Sequence, residues 1–238
     1  MHFGPEQSLQ LFNLGGILVG FQGLIGEQVS LLLSGHRLFN GILTDMGSDI
    51  VVLYNGEKYI YIPRLHVHSI NRNKELEDHV RQPIDSSMVE DLDLISYRRT
   101  LIDAKSSFLE IDVTGNLTYH GYIMNVLDDY FVFYSPVFKQ MLISLSHLKW
   151  LSPYQKNISP YNLGQENIPV KPANVSHLCS LENQLKREVG KLVIFDGGSN
   201  PLKIGILSNI DQNMIELLLA NGNSIYLNLD HIKSTHFS

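Results

Sequence analysis

The sequence predicts a mainly β protein with short helices, in which one small unit is repeated three times in tandem. Three glycines each precede a histidine by nearly the same distance. The pairs are Gly41 and His66, Gly121 and His147, and Gly205 and His231, with separations of 25, 26 and 26 residues. Regular spacing of this kind indicates a repeat protein, so we expect function to reside in what the array presents rather than in one pocket.

The chain of 238 residues therefore divides into three units of about 60 residues each rather than into one or two average domains. We place the units at 1–71, 89–152 and 175–238, joined by linkers at 72–88 and 153–174. Units of this size are only marginally stable alone, so packing between units or between chains is expected to supplement them.

Each unit begins with an apolar pattern of helical period and continues with short segments rich in Val, Ile, Leu, Tyr and Phe. Helices are predicted over 7–24, 89–104 and 175–188. Strands are predicted over 29–34, 38–45, 50–54, 58–63 and 67–70, then over 108–114, 119–127, 130–134, 140–144 and 147–150, and finally over 192–195, 202–209, 214–219, 224–228 and 231–234.

Turn residues separate these strands at matching places. Asn55-Gly56 and Asn221-Gly222 lie between the third and fourth strands of their units, and we expect both residues of each pair to have positive φ. The second unit has Ser135-Pro136 instead, which predicts a differently shaped turn.

The repeated glycine lies inside the second strand of each unit, where glycine is favoured when the backbone bends sharply or another segment approaches closely. A strand bent at this point can contribute to both sheets of a small barrel. Five short, bent, antiparallel strands after a helix are typical of Sm-like or SH3-like small β-barrels, with the helix covering one open end. The sequence therefore predicts three tandem barrels of this class, each preceded by a helix.

Composition excludes several classes of protein. The formal net charge of −6 and 44% hydrophobic content are typical of a globular chain. A single cysteine, Cys179, predicts no internal disulfide and suits a small apolar position on a helix. The most hydrophobic stretch, 14–25, is shorter than the roughly 20 residues of a membrane span. Residues 1–6 lack the basic start of a secretory signal, so we expect neither membrane insertion nor export by that route.

The sequence gives little support for catalytic or metal-binding residues. Three repeated histidines suggest metal binding or proton transfer, but they occupy matching turns of separate units, which favours structural histidines that hydrogen-bond the turn into the last strand. Acidic or amide residues between the second and third strands, Asp49, Asp129 and Asn213, suit turn formation better than paired acid–base catalysis. We therefore predict no catalytic residues, no cofactor and no metal.

Nucleic-acid binding is the main alternative, because small barrels of this class often bind RNA or DNA on strand faces and loops. Tyrosine and phenylalanine are frequent in the strands, but such residues more often pack in cores. Basic residues occur in scattered pairs such as Arg98-Arg99 and Lys186-Arg187, and the chain is acidic overall. The charge distribution therefore argues against this alternative.

Three short motifs carry a resemblance to a known family. They are Gly41 with Ser48-Asp49 and Tyr-Ile-Tyr-Ile-Pro at 59–63, then Gly197-Gly198, and then His231-Ile232-Lys233-Ser234, with looser copies of the last at 66–70 and 147–150. In this order the repeats resemble those of the spore coat protein B family of Bacillus-type bacteria. The resemblance implies a structural protein of the spore coat or exosporium, made in the mother-cell cytoplasm and deposited on the spore surface, with other coat or exosporium proteins as partners.

The expected mechanism is association through strand edges. The last strand of one small barrel can pair with an edge of the next and extend the sheet across units or across chains, which would also give homo-oligomers. The predicted contact strands are 59–62, 141–144 and 225–227, with the last-strand segments 67–70, 148–151 and 232–235.

Overall fold

A computed structural model describes residues 23–72, 95–155, 161 and 176–238. These residues form a mainly β structure in which fifteen strands follow one another in a single antiparallel order. The first unit contains β1 (Gln28–Leu33), β2 (Arg37–Met46), β3 (Ile50–Tyr54), β4 (Tyr59–Pro63) and β5 (Val67–Arg72). The second contains β6 (Leu109–Val113), β7 (Leu117–Val126), β8 (Tyr130–Ser135), β9 (Lys139–Ser144) and β10 (Leu148–Pro153). The third contains β11 (Leu192–Phe195), β12 (Ile204–Asp211), β13 (Met214–Leu218), β14 (Ser224–Asn228) and β15 (Ser234–Phe237).

All three units have the same strand order. The last strand pairs with the first, the first with the second, the second with the third and the third with the fourth. In each unit a short 3-10 helix ends at the repeat histidine and precedes the last strand. One topology has thus been used three times, as the repeated landmarks indicate.

Two α-helices lie within the described residues, α1 (Tyr97–Asp103) before the second unit and α2 (Leu181–Arg187) before the third. Within the predicted segments 89–104 and 175–188 the helices begin at Tyr97 and Leu181, because Ser96 and Ser180 act as N-caps and accept hydrogen bonds from backbone N–H groups three residues later. Residues 89–94 and 175 of these segments lie outside the described residues. Almost all of the helix predicted over 7–24 lies outside the described residues, and residues 23 and 24 form a turn. None of the described helices is long and apolar enough to cross a bilayer.

The repeated glycines lie where two strands come closest. A Cβ at Gly41, Gly121 or Gly205 would collide with a carbonyl oxygen of the third strand, which belongs to the residue paired with the position after the glycine. Three residues later in each unit the register of the second and third strands shifts, which marks a β-bulge. Close approach of the third strand, one of the two predicted reasons for glycine here, is therefore observed, and the bulge lies three residues further along the second strand.

The Asn-Gly turns differ from the prediction. Gly56 and Gly222 have φ of 99° and 83°, but neither preceding asparagine has positive φ. The side chain of Asn55 instead accepts hydrogen bonds from the backbone N–H groups of Glu57 and Lys58, at 3.1 and 2.9 Å. Four residues therefore separate β3 from β4, in a loop held by an asparagine side chain rather than in a two-residue hairpin turn.

Hydrophobic packing crosses the boundaries between units. The core of the second unit includes Ile50, Val52 and Tyr61 from the first unit. The core of the third unit includes residues at the matching positions of the second unit, namely Tyr130, Val132 and Leu142. Each unit therefore completes the core of the unit that follows it.

Candidate functional site: the interfaces between units

Strand pairing joins neighbouring units at two interfaces. At the first interface, β4 of unit 1 pairs with β10 of unit 2, with Tyr61 opposite Leu151. At the second interface, β9 of unit 2 pairs with β15 of unit 3, with Leu142 opposite Thr235. In both cases the last strand of a unit pairs with the fourth strand of the preceding unit, whereas the predicted mechanism pairs the last strand with an edge of the next unit.

The two interfaces have the same register. The residue on the fourth strand lies five positions before its own repeat histidine, and its partner lies four positions after the histidine of the next unit. All four side chains, of Tyr61, Leu151, Leu142 and Thr235, are buried. A register repeated in this way shows that the two interfaces are copies of one docking mode.

The repeat histidines lie at these interfaces. Nδ1 of His66 is 3.1 Å from the hydroxyl of Ser34, and Nδ1 of His147 is 2.8 Å from the hydroxyl of Thr114, so each histidine ties the last strand to the turn after the first. Nε2 of His147 also donates to the carbonyl oxygen of Asp230 in the next unit, at 2.7 Å, because a carbonyl oxygen can only accept. These two histidines therefore make hydrogen bonds between the turn that leads into the last strand and the turn after the first strand.

His231, the third repeat histidine, is exposed. Asp196 occupies the place of Ser34 and Thr114, and its carboxylate accepts hydrogen bonds from the backbone N–H groups of Lys233 and Ser234, at 2.8 and 3.2 Å. The third unit thus holds its last strand by a carboxylate and leaves its histidine at the surface.

Burial lowers the pKa of His66 to about 4. The charges of Lys149, His147 and His68 contribute to this lowering of the pKa, and a hydrogen bond with the backbone of Ser146 opposes it. His66 is buried against the second unit, so protonation of its ring would place a charge inside the first interface.

A lysine two residues after the repeat histidine reaches back to the preceding unit. The ammonium nitrogen of Lys149 would be 2.9 Å from a Cβ at Gly35, and that of Lys233 would be 2.7 Å from a Cβ at Gly115. Both glycines lie in the turn after the first strand and have positive φ. Glycine at this turn therefore leaves room for the lysine of the next unit.

Acidic residues of the turn between the second and third strands bind the helix of the next unit. The carboxylate of Asp49 accepts a hydrogen bond from the backbone N–H of Tyr97, the first residue of α1, at 2.8 Å. Asp129 accepts one from Leu181, the first residue of α2, also at 2.8 Å. The sequence identified these residues as turn formers but gave no sign of the contact, which joins positions about 50 apart.

Charged pairs add to the first interface. Lys58 forms an ion pair with Glu110 of the second unit, and its ammonium lies 5.3 Å from the ring centroid of Trp150. Asp112 of the second unit is buried, 3.4 Å from the guanidinium of Arg37 in the first. Burial raises the pKa of Asp112, while Arg37 lowers it.

The sheet ends in two open edges within the described residues. These are β5 of the first unit, which pairs with β1, and β14 of the third unit, which pairs with β13. The three units thus form an open string in which β5 and β14 do not meet. One end of the sheet is a fourth strand, β14, and the other is a last strand, β5, and these are the two kinds of strand that pair at each interface between units.

The described part of the chain contains residue types that can bind metal ions, including the single cysteine of the sequence. Residues 23–72, 95–155 and 176–238 contain no cluster of three or more His, Cys, Asp or Glu side chains placed to hold a metal ion. Cys179 is exposed and precedes α2, so the prediction that it is a small apolar residue on a helix is wrong.

Basic residues that could contact nucleic acid form ion pairs within the protein. Arg99 pairs with Asp103 at 2.9 Å and Lys186 with Glu182 at 2.8 Å, while Arg98 lies 3.9 Å from Asp128. These pairs reduce the positive charge that α1 and α2 present to a polyanion.

The fold and its interfaces define a mainly β repeat protein whose units are joined by a recurring strand pair. A family described as the YwrJ third domain matches residues 180–235, which contain α2 and most of the third unit. A protein of Bacillus subtilis (strain 168) named "Uncharacterized protein YwrJ" is 41% identical over 221 residues, covering 91% of this chain and 98% of that protein. The chain therefore belongs to the YwrJ family. Neither match names spore coat protein B.

Proposed function

We propose that this protein is a noncatalytic structural protein that acts by self-association and by binding other coat proteins. Its units are Sm-like or SH3-like small barrels, and their exposed strand edges are the functional surface. The observation that carries the proposal is the strand pair that joins fourth and last strands at both internal interfaces and leaves one strand of each kind with an open edge at the ends of the described sheet.

Strand edges suit a structural role for a physical reason. An unpaired edge strand offers a row of N–H and C=O groups that a second sheet can satisfy without any reacting group. Several such contacts on linked units act together, so that modest single affinities produce a durable layer. A stable scaffold therefore requires only edges of the right register.

The spore coat or exosporium is the proposed location, reached by deposition from the mother-cell cytoplasm. Two observations support it: the resemblance of the repeat motifs to the spore coat protein B family, and a relative from Bacillus subtilis that aligns with 91% of this chain. Other coat or exosporium proteins are then the partners.

A fluorescent fusion of the full chain, followed through sporulation, tests the location. We expect the signal to change from a diffuse mother-cell distribution to a shell around the developing spore. Fluorescence that stays diffuse contradicts the coat assignment, and fluorescence on the nucleoid would favour nucleic-acid binding instead.

Light scattering on the purified chain tests self-association. We expect the mean mass to rise above the 27.0 kDa of one chain as concentration increases. Titration with mixed RNA and DNA at low salt is the matching control, because salt-sensitive binding is what a nucleic-acid-binding protein would show. A chain that stays monomeric at all concentrations and binds nucleic acid overturns the proposal.

A further inference from the structure

The outer face of the third unit is exposed where the matching faces are buried. Tyr226 on β14 is 63% exposed, whereas Tyr61 and Leu142 at the matching positions are buried. Met214 on β13 is 39% exposed, whereas the matching Ile50 and Tyr130 are fully buried. In the first and second units this face packs into the core of the next unit, so the third unit presents a face that lacks its neighbour within the described residues.

We propose that a second copy of this chain docks on β14 through its β5, in the register of the two internal interfaces. The inference rests on the proposed function and specifies its partner. The internal offsets place Tyr226, five residues before His231, opposite Ile70, four residues after His66 of the second copy. Leu227 then lies opposite Ser69.

The repeat histidine adds a second contact. His147 donates to the carbonyl of the residue just before the next repeat histidine, which is Asp230. The same relation directs the exposed ring of His231 to the carbonyl of Leu65 in the second copy. The backbone N–H of Ser144 donates across the second interface to the carbonyl oxygen of Lys233, at 3.0 Å. Asn228 lies at the matching position of the third unit and has the same backbone donor.

Contact between chains is weaker than contact between units. On the outer face, Glu216 of β13 lies where the first and second units have Val52 and Val132, and the polar residues Ser224 and Asn228 flank Tyr226 on β14. A more polar face gives a dissociable contact rather than a permanent one. The interface is heterologous, so chains join head to tail and form a closed ring if the rotation per unit allows closure, or a filament if it does not.

Cysteine cross-linking in the full chain tests the register, with Cys179→Ser as the background because Cys179 is exposed. One protein carries Tyr226→Cys and the other Ile70→Cys. Residues directly opposite in an antiparallel pair have Cβ atoms about 4.5–5.5 Å apart, close to the spacing of a disulfide. Mild oxidation of the mixture is expected to give a linked dimer of twice the 27.0 kDa chain mass.

Three controls separate this pairing from others. Each single-cysteine protein oxidised alone is expected to stay unlinked, because a linked dimer there would indicate symmetric pairing of identical edges. A mixture of Tyr226→Cys with Leu38→Cys uses a residue of the first unit that is similarly exposed, at 60%, and lies away from β5. Linked dimer in any of the three controls at the yield of the test mixture overturns the proposal.

A charge variant provides the second readout. Tyr226→Glu is expected to lower the mean mass of the assembly in light scattering. Tyr226 is exposed but lies directly opposite Glu216 on β13, so the variant is also expected to lower the thermal midpoint of the chain slightly. Leu38→Glu is expected to change neither. If the wild-type chain associates but Tyr226→Glu has no effect and the cross-link is absent, the docking mode is wrong while self-association stands. If the wild-type chain is monomeric throughout, both the docking mode and self-association fail.

Discussion

At the scale of single residues, His66 couples the first interface to pH. Its ordinary pKa is 6.5, and burial lowers it to about 4 in the folded protein. Between these values the unfolded chain binds a proton that the folded chain does not, so stability falls as pH drops from about 6.5 towards 4.

We expect His66→Asn, which keeps a polar group near Ser34 but does not titrate, to reduce this loss. Urea unfolding at about pH 7 and about pH 5 measures it, and the wild-type chain is expected to lose up to about 2 kcal/mol more than the variant. The raised pKa of Asp112 makes stability rise as pH falls, and the lowered pKa of His236 makes it fall. Both residues are present in the wild-type chain and in the variant, so their effects cancel in the comparison. Equal losses in the two proteins would contradict the role of His66.

Gly121 tests the close approach of β7 and β8. A Cβ there would collide with the carbonyl oxygen of Tyr134, so Gly121→Ala is expected to destabilise the chain by about 2–4 kcal/mol. Gly222→Ala is the control, because Gly222 has open space around it and a φ of 83°, which costs an alanine about 1–2 kcal/mol. A smaller loss for Gly121→Ala than for the control in thermal unfolding would show that β7 can move away from β8.

At the scale of elements, α2 depends on a residue of the preceding unit. Asp129→Ala removes the acceptor for the backbone N–H of Leu181 and a negative charge at the start of the helix, with an expected loss of about 1 kcal/mol. Asp128→Ala changes an exposed neighbour and is expected to cost less than about 0.5 kcal/mol. Chemical denaturation of both variants measures the difference, and equal values would show that the contact adds no stability.

Elements with a strong local signal were predictable from the sequence. The strands Ile50–Tyr54, Leu192–Phe195 and Ser224–Asn228 have the predicted bounds, because runs of apolar residues end at turn residues. The bounds of α1 and α2 were wrong, although Ser96 and Ser180 before apolar runs were available as N-cap signals. The contacts of Asp49 and Asp129 could not be predicted, since they depend on how complete units dock.

At the scale of the whole molecule, units 1–3 are coupled because each contributes side chains to the core of the next. Repeats that share cores are stabilised by their neighbours, and units of about 60 residues contribute little stability alone. We therefore expect the chain to unfold as one cooperative structure rather than unit by unit.

Trp150 allows a direct measurement, because it is the single tryptophan of the sequence and packs in the core of the first unit although it belongs to the second. Its fluorescence reports the first interface, whereas circular dichroism reports all strands. We expect the two urea transitions to coincide. Trp150→Phe with Phe237→Trp moves the reporter to β15, and its transition should coincide with that of circular dichroism in the same protein. If Trp150 fluorescence changes at lower urea than circular dichroism, the first interface opens before the units unfold, and coupling through shared cores is too weak to make the chain one cooperative structure.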